Sequence, residues 1–219
     1  MQLKSLADAA ALTGMARFGI NTQHALGVSM PALRKLAGKT HDHALAEQLW
    51  QTGIHESRIL AAIVDVPAQV TPEQMERWVV DFDSWDVCDQ VTTDLFDLTP
   101  FAHQKALEWA ERGEEYVKRA GFALMAGLAV HNKTAPDVYF MEFFPAIERQ
   151  ATDGRNFVKK AVNWALRNIG KRNPTLRQAA IQTARNIQAI SSPAARWIAA
   201  DALRELSKKE EKSGVSIHA

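Results

Sequence analysis

The chain has 219 residues, of which 47% are hydrophobic and 23% charged, proportions typical of a globular protein with a core of its own. No apolar run reaches the roughly 18 residues of a membrane helix, and the N-terminus lacks the apolar segment of a signal peptide. The single cysteine, Cys88, excludes an internal disulfide and is typical of a reducing compartment, so we expect a cytoplasmic protein with access to the nucleoid.

The net charge of +1 conceals an uneven distribution along the chain. Residues 1–114 have a balance of −7, residues 115–185 one of +7, and residues 186–219 one of +1. Charges fluctuate along any chain, but an asymmetry of this size indicates that one region faces an anionic partner.

Helical periodicity runs through the chain, and strand patterns are nearly absent. Several expected helices begin with a polar cap followed within two residues by proline, as at Ser29, Thr71, Asn173 and Ser192. The charged and then small, polar residues 209–219 are expected to form a flexible tail. The pattern predicts helices over residues 2–13, 30–38, 42–53, 55–65, 72–81, 84–97, 101–111, 114–131, 136–150, 155–170, 174–189 and 194–208.

Four of these helices open with a cation and continue into an alanine-rich apolar stretch. The cations are Arg58, Arg119, Lys160 and Arg196, separated by 61, 41 and 36 residues. The last two intervals match the period of about 40 residues found in HEAT-like helical pairs, and the first leaves room for one shorter pair. The sequence therefore predicts an all-α fold, an α-solenoid of antiparallel HEAT-like pairs in one domain over residues 1–208, with a concave basic groove. The alternative is a helical bundle without repeats.

Trp85 and Asp89 are four residues apart, which places an indole and a carboxylate on one face of a helix, one turn apart. A carboxylate among phosphate-binding cations needs a structural partner or a chemical role. One such role is to stabilise the positive charge that develops on a sugar when a glycosidic bond breaks. The alternative is that Asp89 forms a salt bridge with Arg119 or Lys160 and that Trp85 belongs to the core.

A later helix carries cations around an aromatic ring on one face, at steps of four, three and four residues: Lys160, Trp164, Arg167 and Lys171. This pattern favours a surface that binds phosphate, although packing is the usual role of a tryptophan. The remaining tryptophans lie in apolar periodic contexts and are predicted to be core residues: Trp50, Trp78, Trp109 and Trp197.

Metal and cofactor chemistry finds little support. His41 and His43 lack the spacing of a helical metal site and have no evident third ligand, so a surface role is expected. Cys88 has no histidine at motif spacing, and no glycine-rich phosphate loop occurs. We therefore expect no cofactor and no metal.

Four stretches together resemble the AlkD-type DNA alkylation repair proteins, a family of HEAT-like-repeat DNA glycosylases. They are residues 26–36, 55–61, 84–89 and 157–167, and the resemblance extends over roughly residues 15–205. It implies that Asp89 is the catalytic aspartate and that Trp85 and Trp164 are the two tryptophans of the DNA groove. It also implies a groove arginine, which falls on Arg119, with Lys118 beside it.

The resemblance further implies a metal-independent hydrolase of base excision repair that removes N3- and N7-alkylated purines from duplex DNA without base flipping. Because alkylation makes the base a cationic leaving group, a single carboxylate is sufficient for this chemistry. Arg58, Lys160, Arg167 and Lys171 would contact the DNA backbone. Two alternatives stay open, a non-catalytic solenoid that binds DNA through its backbone and a protein-interaction scaffold, and a monomer is expected by default.

Overall fold

The computed structural model describes the backbone of residues 2–214 and the side chains of residues 2–207. This part of the chain is helical, with three short 3-10 helices at Gln2–Leu6, Pro67–Gln69 and Phe96–Leu98, and contains no strand. Its α-helices are α1 Ala9–Arg17, α2 Met30–Ala37, α3 His43–Gln51, α4 His55–Val64, α5 Pro72–Val79, α6 Trp85–Asp94, α7 Ala102–Ala110, α8 Glu115–His131, α9 Asp137–Met141, α10 Phe144–Gln150, α11 Asn156–Gly170, α12 Pro174–Gln188 and α13 Pro193–Gly214.

The polar residues expected to cap helices are at the observed helix starts. Thr71 accepts a hydrogen bond from the amide of Gln74 (3.2 Å), and α5 begins at the following proline. Asn173 caps α12 in the same way, through the amide of Leu176. Proline suits these positions because the first-turn amides lack a partner within the helix and its fixed φ matches the helix.

The described residues fall into two compact units, divided between Ala102 and His103. In the first unit, three residues connect α3 to α4, and the two helices pack together as an antiparallel hairpin. The rings of Trp50 and Trp78 stack in the core, with centroids 4.0 Å apart and planes within 5°. Such a pair contributes about 1 kcal/mol beyond its buried area. The helices α2 and α6 both pack against α4.

In the second unit, α8 is buried continuously from Val117 to Ala129, and from Ala120 onward its buried residues are all apolar or glycine, as expected of a central helix. Gly121 lets α7 approach it closely, because a Cβ atom there would lie 2.5 Å from the backbone nitrogen of Ala110. The helices α12 and α13 also pack together across a short connection.

Hydrogen bonds in the second unit show the repeat directly. Three of the bonds that join α8 to α11 and α11 to α13 connect residues 38 positions apart: Arg119–Phe157, Asn163–Asp201 and Arg167–Glu205. These three helices therefore run parallel, one repeat apart. The predicted period of about 40 residues is confirmed for this part of the chain.

Three predicted helix boundaries are wrong. Residues 2–13 do not form one helix, because Asp8 caps a new helix, α1, through the amide of Ala10. Residues 136–150 form α9 and α10 instead of one helix, since Pro145 has no amide hydrogen and its ring would clash with the carbonyl of Met141. The last helix continues to Gly214 instead of ending at 208, and the rest of the predicted tail lies outside the described residues.

No helix in the described part of the chain is both long enough and apolar enough to cross a membrane. The prediction of one domain over residues 1–208 stays a prediction.

Candidate functional site

Trp85 opens α6 and is held by its indole nitrogen. Ser84, in an extended conformation, precedes the helix, and Trp85 Nε1 donates a hydrogen bond to the carbonyl of Phe18 at 3.0 Å. The Trp85 side chain is partly exposed, so the prediction that it contacts DNA has the accessibility it requires. Phe18 itself is 74% exposed. The contact joins residues 67 positions apart, which a pattern within one helix cannot indicate.

Asp89 follows one helical turn later and is also partly exposed. Val87, Cys88 and Val91 are fully buried, so they form the core side of α6 and leave Trp85 and Asp89 on its accessible side. The hydroxyls of Thr92 and Thr93 donate to the Asp89 carbonyl at 3.0 and 2.8 Å. The first unit thus places the indole and the carboxylate where the spacing predicts, on one accessible face of one helix.

A buried hydrogen-bond network holds the start of α6. Asp86 accepts a hydrogen bond from the Ser84 hydroxyl (2.6 Å) and pairs with Nε2 of His55 (2.9 Å). Burial by itself would lower the pKa of His55, but the hydrogen bond and charge of Asp86, with the charges of Glu56 and Asp83, raise it above its ordinary value. Burial likewise opposes ionisation of Asp86, yet His55 and the Ser84 hydroxyl hold the pKa of Asp86 below its ordinary value.

Next to His55, the carboxylate of Glu56 is almost completely buried, with 1% of the residue exposed. It accepts hydrogen bonds from three consecutive backbone amides, those of Leu26, Gly27 and Val28, at 2.6–3.2 Å. Because Gly27 has φ +78° and a Cβ atom there would overlap the Asp8 carbonyl, only glycine fits this turn. These bonds anchor the segment before α2 to the same helix that supports the start of α6.

Arg58, predicted to be a groove cation, is largely held by its own unit. Its Nη1 donates to the carbonyl of Asp81 at 2.8 Å, and only 15% of the side chain is exposed. The guanidinium carbon lies 5.3 Å from the centre of the Trp50 ring, and the carboxylates of Asp81 and Asp83 lie within 3.9 Å of the guanidinium. Little of its charge is available to a ligand, and its contact with DNA stays a prediction.

In the second unit, Lys118 and Arg119 are buried, with 9% and 5% of the residue exposed. Lys118 Nζ bonds to Gln150 (2.7 Å) and lies 3.4 Å from a carboxylate oxygen of Asp153. Arg119 Nη1 donates to the Phe157 carbonyl at 2.6 Å and so joins α8 to the first turn of α11. Both side chains join helices of the second unit, and their role as DNA contacts stays a prediction.

The face of α11 carries Lys160, Trp164, Arg167 and Lys171, but the four side chains differ in their surroundings. Lys160 is exposed, and within the described residues it has no hydrogen-bond or ion-pair partner; Trp164 is partly exposed. Arg167 and Lys171 both pair with Glu205 of α13. Although burial opposes ionisation of Glu205, the two cations hold its pKa below the ordinary value.

Asp201 of α13 contributes a second carboxylate to this cluster, 3.2 Å from Arg167. Two of the three cations on this face are therefore neutralised from the next repeat, which the sequence pattern within α11 did not indicate. Lys160 is the exposed member of the predicted set, and Trp164, Arg167 and Lys171 are partly exposed.

Of the four tryptophans predicted to be core residues, three are buried and one is exposed. Trp50, Trp78 and Trp109 are buried, with at most 4% exposed, as predicted. Trp197 is 40% exposed, so its assignment to the core was wrong; Lys159 Nζ lies 4.8 Å from the centre of its ring. Cys88 is buried, and the described residues contain no cluster of three or more potential metal ligands.

The model of the DNA alkylation repair enzyme family matches residues 1–210. No curated protein matches the chain. Among solved structures, the chain is similar to a protein described as a member of a new family that is related to the HEAT-like repeat DNA glycosylases and has affinity for branched DNA structures. The TM-score is 0.77 at 18% identity, and the match covers 95% of this chain and 92% of that one.

At this identity the structural similarity shows the fold, which is the HEAT-like α-solenoid that the sequence predicts. The family match covers nearly the whole chain and agrees with the resemblance found in residues 26–36, 55–61, 84–89 and 157–167. The chain belongs to the DNA alkylation repair enzyme family.

Proposed function

We propose that the chain is a DNA glycosylase that hydrolyses the N-glycosidic bond of N3- and N7-alkylated purines in duplex DNA, without flipping the base. The observation that carries the proposal is the Trp85–Asp89 pair, an indole and a carboxylate on one accessible face of α6, in a chain of the DNA alkylation repair family. Trp164 and Lys160 would add contacts to the DNA backbone from the second unit.

The chemistry requires one carboxylate. As the bond between C1′ and the base nitrogen breaks, its electron pair passes to the base and neutralises the charge that alkylation placed there. The positive charge moves to the sugar, where the Asp89 carboxylate would stabilise it and orient the attacking water. Water adds its oxygen to C1′ and gives its proton to the carboxylate or to solvent. The leaving base needs no protonation, so no second acid takes part.

The surroundings of α6 suit this role because they hold the helix start in one place. His55 and Ser84 fix Asp86, and the Phe18 carbonyl fixes the indole of Trp85. A charge-stabilising group is effective when it is positioned before the reaction and does not reorganise during it.

The test is release of free base from methylated duplex DNA by the wild type and by Asp89→Asn. We expect the substitution to lower the rate by about 10²–10³-fold, as loss of one electrostatic stabiliser does elsewhere. DNA affinity should be retained or raised, because a negative charge near phosphates is removed. Asp94→Asn is the matched control, since Asp94 is on the same helix but pairs with Arg34 at 3.1 Å. Equal rates for Asp89→Asn and the wild type would exclude the proposed role.

A second candidate is binding of DNA through its backbone without catalysis. It is favoured by the affinity for branched DNA of the structurally similar protein. It predicts salt-sensitive binding by the wild type with no base released, whereas the glycosylase proposal requires release.

A further inference from the structure

A cationic cavity of about 280 Å³ lies at the C-terminal ends of α8 and α11 in the second unit. Among the described residues, three of those that line it are cations and none is acidic. The lining consists of Ala129, Val130, Lys133, Asn168, Lys171 and Arg172. Carbonyl groups at helix C-termini attract cations and repel anions, so the explanation for three cations here begins with those carbonyl groups.

Part of that explanation is structural. Arg172 Nη1 donates to the carbonyl of Ala129 at 2.7 Å, and Asn168 donates to that of Ala126 at 3.3 Å, so both side chains occupy carbonyl groups in the last two turns of α8. The guanidinium carbon of Arg172 lies 3.9 Å from the centre of the Phe140 ring. These contacts hold the planar group rigidly at the wall of the cavity.

The contacts do not satisfy the charge of Arg172. Its Nε is buried and, in the described part of the chain, has no hydrogen-bond partner. Burial lowers the pKa of Arg172 from its ordinary value, and the charge of Asp137 offsets this only in part. A bound anion would supply the missing counter-charge, with Arg172 already in position to receive it.

Lys133 is the cavity cation with the greatest freedom. It follows α8 in an exposed loop, and no described residue forms a hydrogen bond or ion pair with its side chain. Lys171, by contrast, is shared with Glu205. The cavity therefore combines one fixed, one shared and one available cation, a set that can close around an anion from solvent.

The cavity also continues the predicted DNA-binding face of α11. Lys160, Trp164 and Asn168 follow at steps of four residues on one side of α11, and Arg172 comes two residues after the helix ends. At 1.5 Å of rise per residue, the end of α11 at Gly170 lies about 9 Å beyond Trp164 along the axis, and Arg172 follows it. Each DNA strand carries one phosphate per about 3.4 Å of duplex axis, so an anion in the cavity is a different phosphate from one that contacts Trp164.

We propose that this cavity binds a backbone phosphodiester of DNA and so anchors the strand beyond Trp164. The proposal deepens the proposed function and rests on it for the identity of the ligand as DNA. The phosphate takes the place between Lys133 and the guanidinium of Arg172, and Lys171 adds charge from the side.

The test compares Lys133→Ala with Lys39→Ala, a matched removal of an exposed lysine outside the cavity. Binding to an unmodified duplex oligonucleotide is measured over a series of salt concentrations. We expect Lys133→Ala to weaken binding and to reduce the slope of log K against log salt by about 0.9, the value for one phosphate contact. Lys39→Ala should leave the slope at the wild-type value. Equal behaviour of the two variants would overturn the proposal.

Glu205→Gln tests the same site in the opposite direction. Since Glu205 holds Lys171, its neutralisation should release that cation and make binding tighter and more salt-sensitive.

Duplexes with and without a 5′-phosphate distinguish the source of the anion, because a phosphodiester site binds them equally. Binding that requires the terminal phosphate would overturn the assignment to the backbone. Base release is measured separately, so a wild type that binds DNA through Lys133 without releasing base would contradict only the proposed function.

Discussion

Replacement of Glu56 by glutamine should weaken the hydrogen bonds that attach the segment before α2 to α4. The carboxylate has two acceptor atoms: Oε2 receives the amide of Leu26 at 2.8 Å, and Oε1 those of Gly27 and Val28 at 2.6 and 3.2 Å. Glutamine keeps one oxygen and replaces the other with an NH₂ group, which donates and cannot accept. With the glutamine oxygen at the Oε2 position, the amides of Gly27 and Val28 lose their acceptor. With the oxygen at Oε1, all three amides keep an acceptor, because the Leu26 amide also lies 3.0 Å from Oε1, but the Leu26 amide then faces the NH₂ group as a second donor.

The cost follows from these contacts. Each of the three bonds loses roughly 1 kcal/mol when its acceptor is no longer charged, and two donors that face each other add to this cost. Glutamine avoids the cost of burying a charge, which offsets part of the loss. We therefore expect Glu56→Gln to lower the free energy of unfolding by about 3 kcal/mol, which is well above the average effect of a point substitution.

Urea unfolding measures this difference, and hydrogen exchange of the amides of residues 26–28 locates it. Glu47→Gln serves as the control, because Glu47 pairs with Arg77 at the surface, where such a pair contributes less than about 1 kcal/mol. If Glu56→Gln is within about 0.5 kcal/mol of the wild type and the three amides keep their protection, the carboxylate does not organise this segment.

Two further predictions concern the pH dependence of stability and the packing of α8. Because the pKa of His55 is raised, protonated His55 stabilises the fold fully at pH values below its ordinary pKa of 6.5, and this contribution is lost as the pH rises through the raised pKa. Because the pKa of Asp86 is lowered, ionised Asp86 stabilises the fold fully at pH values above its ordinary pKa of 3.8, and this contribution is lost as the pH falls through the lowered pKa. The difference in unfolding free energy between the wild type and His55→Gln should therefore be greatest between these two values, and a difference independent of pH would contradict the ion pair. Gly121→Ala should lower the melting temperature strongly, at a cost of about 3 kcal/mol, because its Cβ would meet the backbone of α7, whereas Gly113→Ala points into open space and should have little effect. Equal melting temperatures for the two variants would show that α7 moves aside without cost.

The helical fold and its repeat were predictable because their causes are local. Thr71 and Asn173 mark helix starts through bonds to amides three residues ahead, and the alanine-rich stretches recur at the interval that the offset of 38 residues reproduces. The break before Pro145 was also predictable from the sequence, because a proline inside a helix removes a backbone hydrogen bond and clashes with the preceding turn. It was missed because the apolar pattern on both sides of that proline is continuous.

The state of the charged residues could not be predicted, because it depends on partners from other repeats. In the sequence, Arg167 and Lys171 form a cationic face with Lys160. Two carboxylates of α13, Glu205 and Asp201, neutralise Arg167 and Lys171 from more than 30 positions further along. Lys118 likewise contacts Gln150 at the end of α10 and Asp153 in the connection before α11. Counting charges within a segment therefore overestimates the cationic surface that a ligand can reach.

The six tryptophans form two sets that differ in exposure, and the fluorescence of each set reports on a different event. Three indoles are buried in the cores of the units and three are partly exposed, the first set being Trp50, Trp78 and Trp109 and the second Trp85, Trp164 and Trp197. A quencher dissolved in water reaches only the second set in the folded chain, so DNA bound over Trp85 and Trp164 would shield part of the accessible emission. The buried set becomes accessible only on unfolding. One fluorescence titration can thus separate occupation of the surface from loss of the fold, without a label.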